Sequence, residues 1–147
     1  MCLQALRLSE ETGDRAGRAQ ALNFVAAISR DTGEEEIAVR RYADALLLAR
    51  ELGELWATCS ALDGIAGVAR AVNEPEIATR LLAHSGRLAT RAGYRHSPHE
   101  RALRDDDIEA LRRVLGDEDF EQATAEGALM SVGDAVSCAA AFASRHS

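Results

Sequence analysis

Aromatic residues and prolines are scarce in this chain of 147 residues. Phe, Trp and Tyr together make up 4% of the sequence and there are two prolines, whereas hydrophobic residues make up 47%. The apolar content is therefore mostly Ala, Leu, Val and Ile, and few positions carry the residue that most strongly interrupts helices. This composition predicts an all-α fold, and the length corresponds to about one domain with a sizeable core.

Clustered positive charge is also missing. The chain carries 17 Lys and Arg residues against 24 Asp and Glu residues, which gives a formal net charge of −7. Its adjacent arginines, such as Arg112 and Arg113, are embedded among carboxylates. Because phosphate backbones are bound by concentrated basic surfaces, we expect no direct contact with nucleic acid.

Long apolar runs and cysteine motifs are absent as well. No apolar run approaches the ~20 residues that a membrane span requires, and Arg7 and Glu10 interrupt the N-terminal stretch. We therefore predict a soluble, cytoplasmic protein without a membrane partner. Cys2, Cys59 and Cys138 lie far apart without CxxC spacing, which favours small buried residues over a disulfide framework or a zinc site.

The sequence does contain an internal repeat with a period of forty positions. The matching pairs are Gly13 and Gly53, Gly53 and Gly93, Leu22 and Leu62, Ala26 and Ala66, Ile37 and Ile77, and Ala38 and Ala78. Such a period is typical of a helical solenoid, whose hairpins bury their apolar faces by stacking on their neighbours. It predicts full units at 14–53 and 54–93, preceded by an incomplete unit of which residues 2–12 form the second helix. We therefore expect the chain to be a fragment of a longer protein.

Turn residues divide each unit into two helices. Gly33 and Gly53 are predicted to end the two helices of the first full unit, and Pro75 is predicted to lie in the first turn of a helix in the second. Gly64 and Gly67 lie inside a predicted helix, where each costs ~1 kcal/mol relative to Ala. We therefore expect a close approach at these two glycines, by the helix of the neighbouring repeat or, alternatively, by a guest peptide in a groove.

The repeat register ends after Gly93, and residues 94–147 are predicted to form a C-terminal helical cap. Ser97 and Glu100 make a capping box at the start of its first helix. Asp117 is predicted to cap a shorter helix, and Ser131 with Asp134 is predicted to make a second capping box for a final helix.

Several positions of the two full units match a known repeat pattern. They are Leu22, Val25, Ala26, Ser29, Gly33, Ala38, Tyr42 and Ala45 in the first unit, and Leu62, Ile65, Ala66, Ala69, Asn73, Ala78, Leu82 and Ser85 in the second. This pattern resembles the tetratricopeptide family, although two of its aromatics are lost in each first helix and the period exceeds the usual ~34 residues. The resemblance implies an α-α superhelix of antiparallel helical hairpins that acts by binding.

A second set of segments covers about the last two thirds of the chain. They are LDGIAGVARA (62–71), RLLAHSGRL (80–88), LGDEDFEQATAEG (115–127) and SVGDAV (131–136). Together they resemble the C-terminal helical region of LuxR-type bacterial regulators and related signal-transduction ATPases. The resemblance implies a regulatory arm of a transcriptional or signalling protein. No segment matches the ATPase module or the DNA-binding helix-turn-helix of such regulators.

No motif for catalysis, cofactor binding or metal binding occurs. The chain has neither GxxxxGK[ST] nor GxGxxG, and His96 and His99 lack the i, i+4 spacing of helical zinc ligands. The acidic run of Asp105, Asp106 and Asp107 is predicted to be a solvated helix face. We therefore predict a protein that is not an enzyme and holds no cofactor or metal.

Four polar residues are candidates for binding a partner. Asn23 and Asp63 recur at the repeat spacing, and so do Arg30 and Arg70. They would lie on the concave face made by the first helices of the hairpins, where they could anchor a protein or another domain of the parent chain. Alternatively, they are ordinary surface residues. The binding hypothesis predicts that replacing Asn23 and Asp63 with Ala weakens the binding of a partner without unfolding the domain.

Two further expectations remain open at this stage. The chain could instead sense a small-molecule effector between the repeats and the cap, and an apolar cavity near Trp56 would favour that alternative. Trp56 is otherwise expected to make a core or inter-repeat contact. An apolar face at the N-terminal end, including Leu3, Leu6 and Val25, would make a homodimer plausible.

Overall fold

The computed structural model describes residues 15–146, and these residues form helices joined by short turns. No strand occurs in this range, so the all-α prediction is confirmed. The predicted helix at residues 2–12, with Leu3 and Leu6, lies outside the described residues. The helices are α1 (Arg15–Asp31), α2 (Glu35–Leu52), α3 (Leu55–Ala71), α4 (Pro75–Ala92), α5 (Pro98–Leu115), α6 (Asp117–Leu129) and α7 (Val132–His146).

The turns fall at the predicted positions. Gly33, Gly53 and Gly93 have φ of +82°, +70° and +70°, a left-handed conformation that glycine adopts without the steric cost of a Cβ atom. Asn73 occupies the place of Gly33 in the second unit and is the single non-glycine residue of the described range with positive φ, at +65°. Pro75 begins α4 as predicted, because a missing N–H costs nothing in the first helical turn.

Helices α1 and α2 form one hairpin, α3 and α4 form the next, and α3 packs against both helices of the first. The helices come close together because alanines fill their contacts. The alanines at the positions of the repeat pattern are fully buried, namely Ala26, Ala38, Ala45, Ala66, Ala69 and Ala78. These small residues therefore lie inside the packed helices.

The two glycines inside α3 accommodate side chains of the preceding hairpin. The ring of Tyr42 lies against Gly64 and the guanidinium group of Arg30 lies against Gly67, so closely that a Cβ atom at either glycine would overlap them. The predicted close approach is confirmed, and side chains of α1 and α2 make it.

The last three helices fold back over the hairpins. Helix α5 contacts α3 and α4, α6 packs on α4, and α7 covers parts of α2, α3 and α4. At Gly127 the backbone of α6 lies directly against the backbone of α4 at Arg80. Glu74, in the turn before α4, accepts hydrogen bonds from Arg145 and His146 at the end of α7.

Of the predicted caps, one capping box is confirmed, the second shows one of its two hydrogen bonds, and the cap at Asp117 is wrong. The Ser97 hydroxyl accepts from the Glu100 N–H, while the Glu100 carboxylate accepts from the Ser97 N–H, which completes the capping box. Ser131 accepts from the Asp134 N–H at 3.0 Å. Asp117 does not cap α6, because Gly116 with φ of +82° takes that position and Asp117 is already the first helical residue.

Val25, expected on an exposed apolar face, is buried with 6% of its surface accessible.

Within residues 15–146, no single helix is long and apolar enough to cross a membrane, whereas α6 and α7 meet that criterion only as a pair bent by 119°.

Candidate functional site

A cavity of about 550 Å³ lies between the first helices of the two hairpins and the cap. Helices α1 and α3 form one side, and the start of α5 with the connection before it forms the other. Four of the chain's six aromatic residues line it, namely Phe24, Tyr42, Trp56 and Tyr94. In a chain so poor in aromatics, this concentration distinguishes the cavity from the rest of the molecule.

One wall of the cavity is apolar and partly open. Phe24 and Ile28 lie one turn apart on α1, and their side chains are 55% and 53% exposed. Trp56 of α3 lines the same space and packs against a small cluster of buried alanines between the hairpins. Its indole N–H donates to the Glu54 carboxylate at 3.0 Å. Trp56 therefore makes the predicted inter-repeat contact and also lines the cavity.

The opposite wall carries a carboxylate held by three donors. Glu100 of α5 accepts from the Ser97 N–H at 3.0 Å, from the Tyr94 hydroxyl at 2.9 Å and from the Ser60 hydroxyl of α3 at 3.2 Å. Burial raises the pKa of Glu100, but these hydrogen bonds outweigh it and hold the pKa below its ordinary value of 4.5. The carboxylate is therefore ionised at neutral pH.

Two of the four predicted anchors meet at a single carboxylate of the cap. Both oxygens of Asp107 accept from Arg30, at 2.9 and 3.0 Å, and one of them also accepts from Arg70 at 2.8 Å. The Asp107 side chain is 2% exposed. The prediction that Asp107 belongs to a solvated face is therefore wrong, because the packing of α5 turns this one carboxylate inward. Asp105 and Asp106 of the same run are exposed.

The third predicted anchor, Asp63, is the centre of a second polar cluster. It accepts from Arg104 of α5 at 2.6 Å and from Ser85 of α4 at 2.5 Å, and His96 lies 3.0 Å from its other oxygen. The Arg104 guanidinium also donates to the Leu82 carbonyl at 2.5 Å. Asp63 therefore ties α3 to α4 and to the cap.

The fourth predicted anchor, Asn23, is 8% exposed and bridges the hairpins. Its side-chain N–H donates to the Ala57 carbonyl of α3 at 3.3 Å. That contact orients the amide, because a carbonyl oxygen accepts only from the nitrogen. The Oδ1 atom is buried without a hydrogen-bond partner in the described structure. Asn23 also lines the cavity.

All four predicted residues thus lie around the cavity or beside it, but all four bind polar groups of their own chain, and three of them pair with charged side chains of α5. Sequence reasoning missed the groups that bind them, Arg104 and Asp107. A signal was present, because Glu100, Leu103, Arg104 and Asp107 follow the i, i+3, i+4, i+7 spacing of one helix face. Charged residues on a stripe of that kind indicate a helix that covers a polar surface.

A smaller cavity of about 270 Å³ lies between α4 and the turn after α6, and His84 lines it. His84 is buried, as predicted, and neither ring nitrogen has a hydrogen-bond partner in the described structure. Burial lowers the pKa of His84 below its ordinary value of 6.5 and outweighs the opposing effect of the Gly127 and Met130 backbone. The imidazole is therefore neutral at pH 7.

Reactive groups near the larger cavity are held in unreactive forms. Burial raises the pKa of the Cys59 thiol to about 12 and that of the Tyr94 hydroxyl to about 12, so both stay protonated at neutral pH. Among residues 15–146, no group of three or more His, Cys, Asp or Glu side chains has an arrangement that could hold a metal ion. His96, considered above as a ligand, faces Asp63 instead.

Comparisons with protein-family models, curated proteins and solved structures found no match to this chain.

Proposed function

We propose that this chain is a non-catalytic regulatory domain in which tetratricopeptide-like repeats and a helical cap enclose a binding site for a small organic effector. The observation that carries the proposal is the cavity of about 550 Å³ near Trp56, lined by four of the six aromatic residues. Cavities of about 300–1,000 Å³ with apolar walls and a few polar groups are the usual sites for small molecules.

The repeat face does not offer the anchors that a protein partner would need. Arg30 and Arg70 are engaged by Asp107, and Asp63 is engaged by Arg104. A peptide on this face would compete with α5 of the same chain. The geometry therefore favours an effector inside the cavity. A protein partner in an open groove is the alternative hypothesis.

The cavity has a physical route to regulation. Its walls belong to the first hairpin, to the second hairpin and to the cap, so a ligand that fills it stabilises one arrangement of the three. A change in the position of the cap on ligand binding would then alter its contact with a neighbouring domain. In the parent protein implied by the resemblance to LuxR-type regulators, that neighbour would be an output domain in the bacterial cytoplasm.

The test uses the single tryptophan as a reporter. A library of small organic molecules is screened by Trp56 fluorescence and by the shift in Tm, and a bound effector should change both. Replacing Ala27, which lines the cavity from α1, with Phe should take up part of the space and weaken both responses. The matched control is Leu47→Phe on α2, at a side chain that is 57% exposed and lies outside the cavity.

Two results would contradict the proposal. One is a library in which no compound changes Trp56 emission or Tm. The other is a set of binders whose affinity is the same for the wild-type protein and for A27F, since those compounds would occupy another surface.

A further inference from the structure

The charges that line the cavity are unequally compensated. Four carboxylates face two guanidinium groups, those of Arg30 and Arg104. Arg30 is bound by Asp107 at 2.9 Å and Arg104 by Asp63 at 2.6 Å, so neither positive group is available to a ligand without breaking an ion pair. An anionic ligand would therefore have to displace a carboxylate of the protein.

Glu100 is the half-buried carboxylate of the wall that has no cationic partner among the described residues. A carboxylate offers about four acceptor positions, and Glu100 receives three hydrogens, from Ser97, Tyr94 and Ser60. One acceptor position and one negative charge remain uncompensated. Three neutral donors hold the carboxylate in place without neutralising it, as a binding site for a positive group requires.

A second acceptor, on the α1 side of the cavity opposite Glu100, is also unused. Asn23 donates through its nitrogen to the Ala57 carbonyl, one helical turn before Ser60 on α3, and its Oδ1 atom has no partner. The buried acceptor capacity of the cavity, at Glu100 and at Asn23 Oδ1, is thus unused, while the side chains of Gln20, Tyr42 and His99 also bring donor groups to the lining. A protonated amine matches the unused acceptors, because an ammonium group has three donors and no acceptor.

The remaining lining suits the apolar part of such a molecule. Phe24, Ile28 and Trp56 form the apolar wall, and the faces of Phe and Trp rings attract cations in addition to burying apolar area.

Taking the proposed function as its basis, we propose that the effector is a hydrophobic organic cation. Its positive head lies against Glu100, and its apolar body packs on Phe24, Ile28 and Trp56. Glu100 is the counter-ion that makes the site prefer a positively charged ligand. The apolar wall makes the site prefer a ligand with an apolar body.

The test compares three molecules that share a phenyl ring on an alkyl chain and differ in their polar end group: 4-phenylbutylamine, 4-phenylbutan-1-ol and 4-phenylbutanoate. Binding to the full chain is followed by Trp56 fluorescence and by calorimetry at neutral pH. We expect the amine to bind at least about tenfold more tightly than the alcohol, because hydrogen bonds to a charged partner are the strong ones. The carboxylate should bind most weakly.

The decisive variant is Glu100→Gln, which removes the charge but keeps the capping box, since Gln serves at that position as Glu does. In E100Q the amine should lose its advantage while the affinity of the alcohol stays the same. The matched control is Asp106→Asn, at an exposed carboxylate of the same helix outside the cavity lining, whose charge solvent screens. It should leave the ratio of the two affinities unchanged.

The outcomes separate this inference from the proposed function. If the alcohol or the carboxylate binds as tightly as the amine, the cationic class is wrong while the effector site stands. If E100Q keeps the preference for the amine, Glu100 is not the counter-ion. If none of the three molecules changes Trp56 emission, both the site and the ligand class are overturned.

Discussion

Replacing Asp107 with Asn removes the charge that connects the cap to both hairpins. The side chain is 2% exposed and lies 2.9 Å from Arg30 and 2.8 Å from Arg70. Asn has almost the same shape, but its amide nitrogen accepts no hydrogen bond and its oxygen carries no charge. At least one guanidinium contact is therefore lost, and Arg30 is left partly buried without a counter-ion.

The expected loss in the free energy of unfolding is about 1.5–4 kcal/mol. A hydrogen bond to a charged group contributes about 1.5–3 kcal/mol, and the contact with Arg30 counts in full because that side chain is 18% exposed. The contact with Arg70 adds about 0–1 kcal/mol, since its side chain is 42% exposed and solvent screens the pair. The free energy of unfolding of a typical protein is about 5–15 kcal/mol, so this loss would be a large share of it.

The assay is urea unfolding followed by circular dichroism and by Trp56 fluorescence, which reports on the cavity that α5 covers. The control is Asp106→Asn, one residue earlier on the same helix, where the side chain is exposed. It should change stability by less than about 0.5 kcal/mol. If D107N costs no more than D106N, the carboxylate does not hold the cap, and the reasoning fails.

Three further predictions concern other parts of the fold. Because the pKa of His84 is below its unfolded value of 6.5, the unfolded state binds more protons below that pH. Stability should therefore fall as the pH drops through 6.5, and less so in H84L; equal pH slopes of the free energy of unfolding, measured in urea, would contradict this. Gly127→Ala should cost about 1–3 kcal/mol, because the new Cβ meets the α4 backbone at Arg80. Gly133→Ala, whose Cβ has room, is its control in the same thermal melts. Ser97→Ala should cost about 1 kcal/mol by removing the cap of α5, and an unchanged melting temperature would argue against that contribution.

The positions of turns and caps could be predicted because they depend on residues a few positions apart. Gly33 and Gly53 end helices through their own backbone freedom. Ser97 and Glu100 form their capping box within one turn. The error at Asp117 has the same local character, since Gly116 and Asp117 compete for one position and the glycine takes it.

The candidate site could be predicted only in part. The repeat spacing identified Asn23 and Asp63, and all four predicted residues lie at the cavity or beside it. The hypothesis that they present free polar groups depended on an open concave face, and α5 covers it. Arg30 and Asp107 are separated by 77 positions, so no local pattern could pair them.

What the sequence by itself determined is the set of helices in the described range and most of their ends, since propensity, apolar spacing and capping act within a turn or two. Only the tertiary structure decided where the cap lies, which carboxylate of the run Asp105, Asp106 and Asp107 is buried, and that the scarce aromatics gather at one cavity. These features depend on contacts between helices that are distant in the sequence. Their free energy comes from burying apolar area and pairing charges across those contacts.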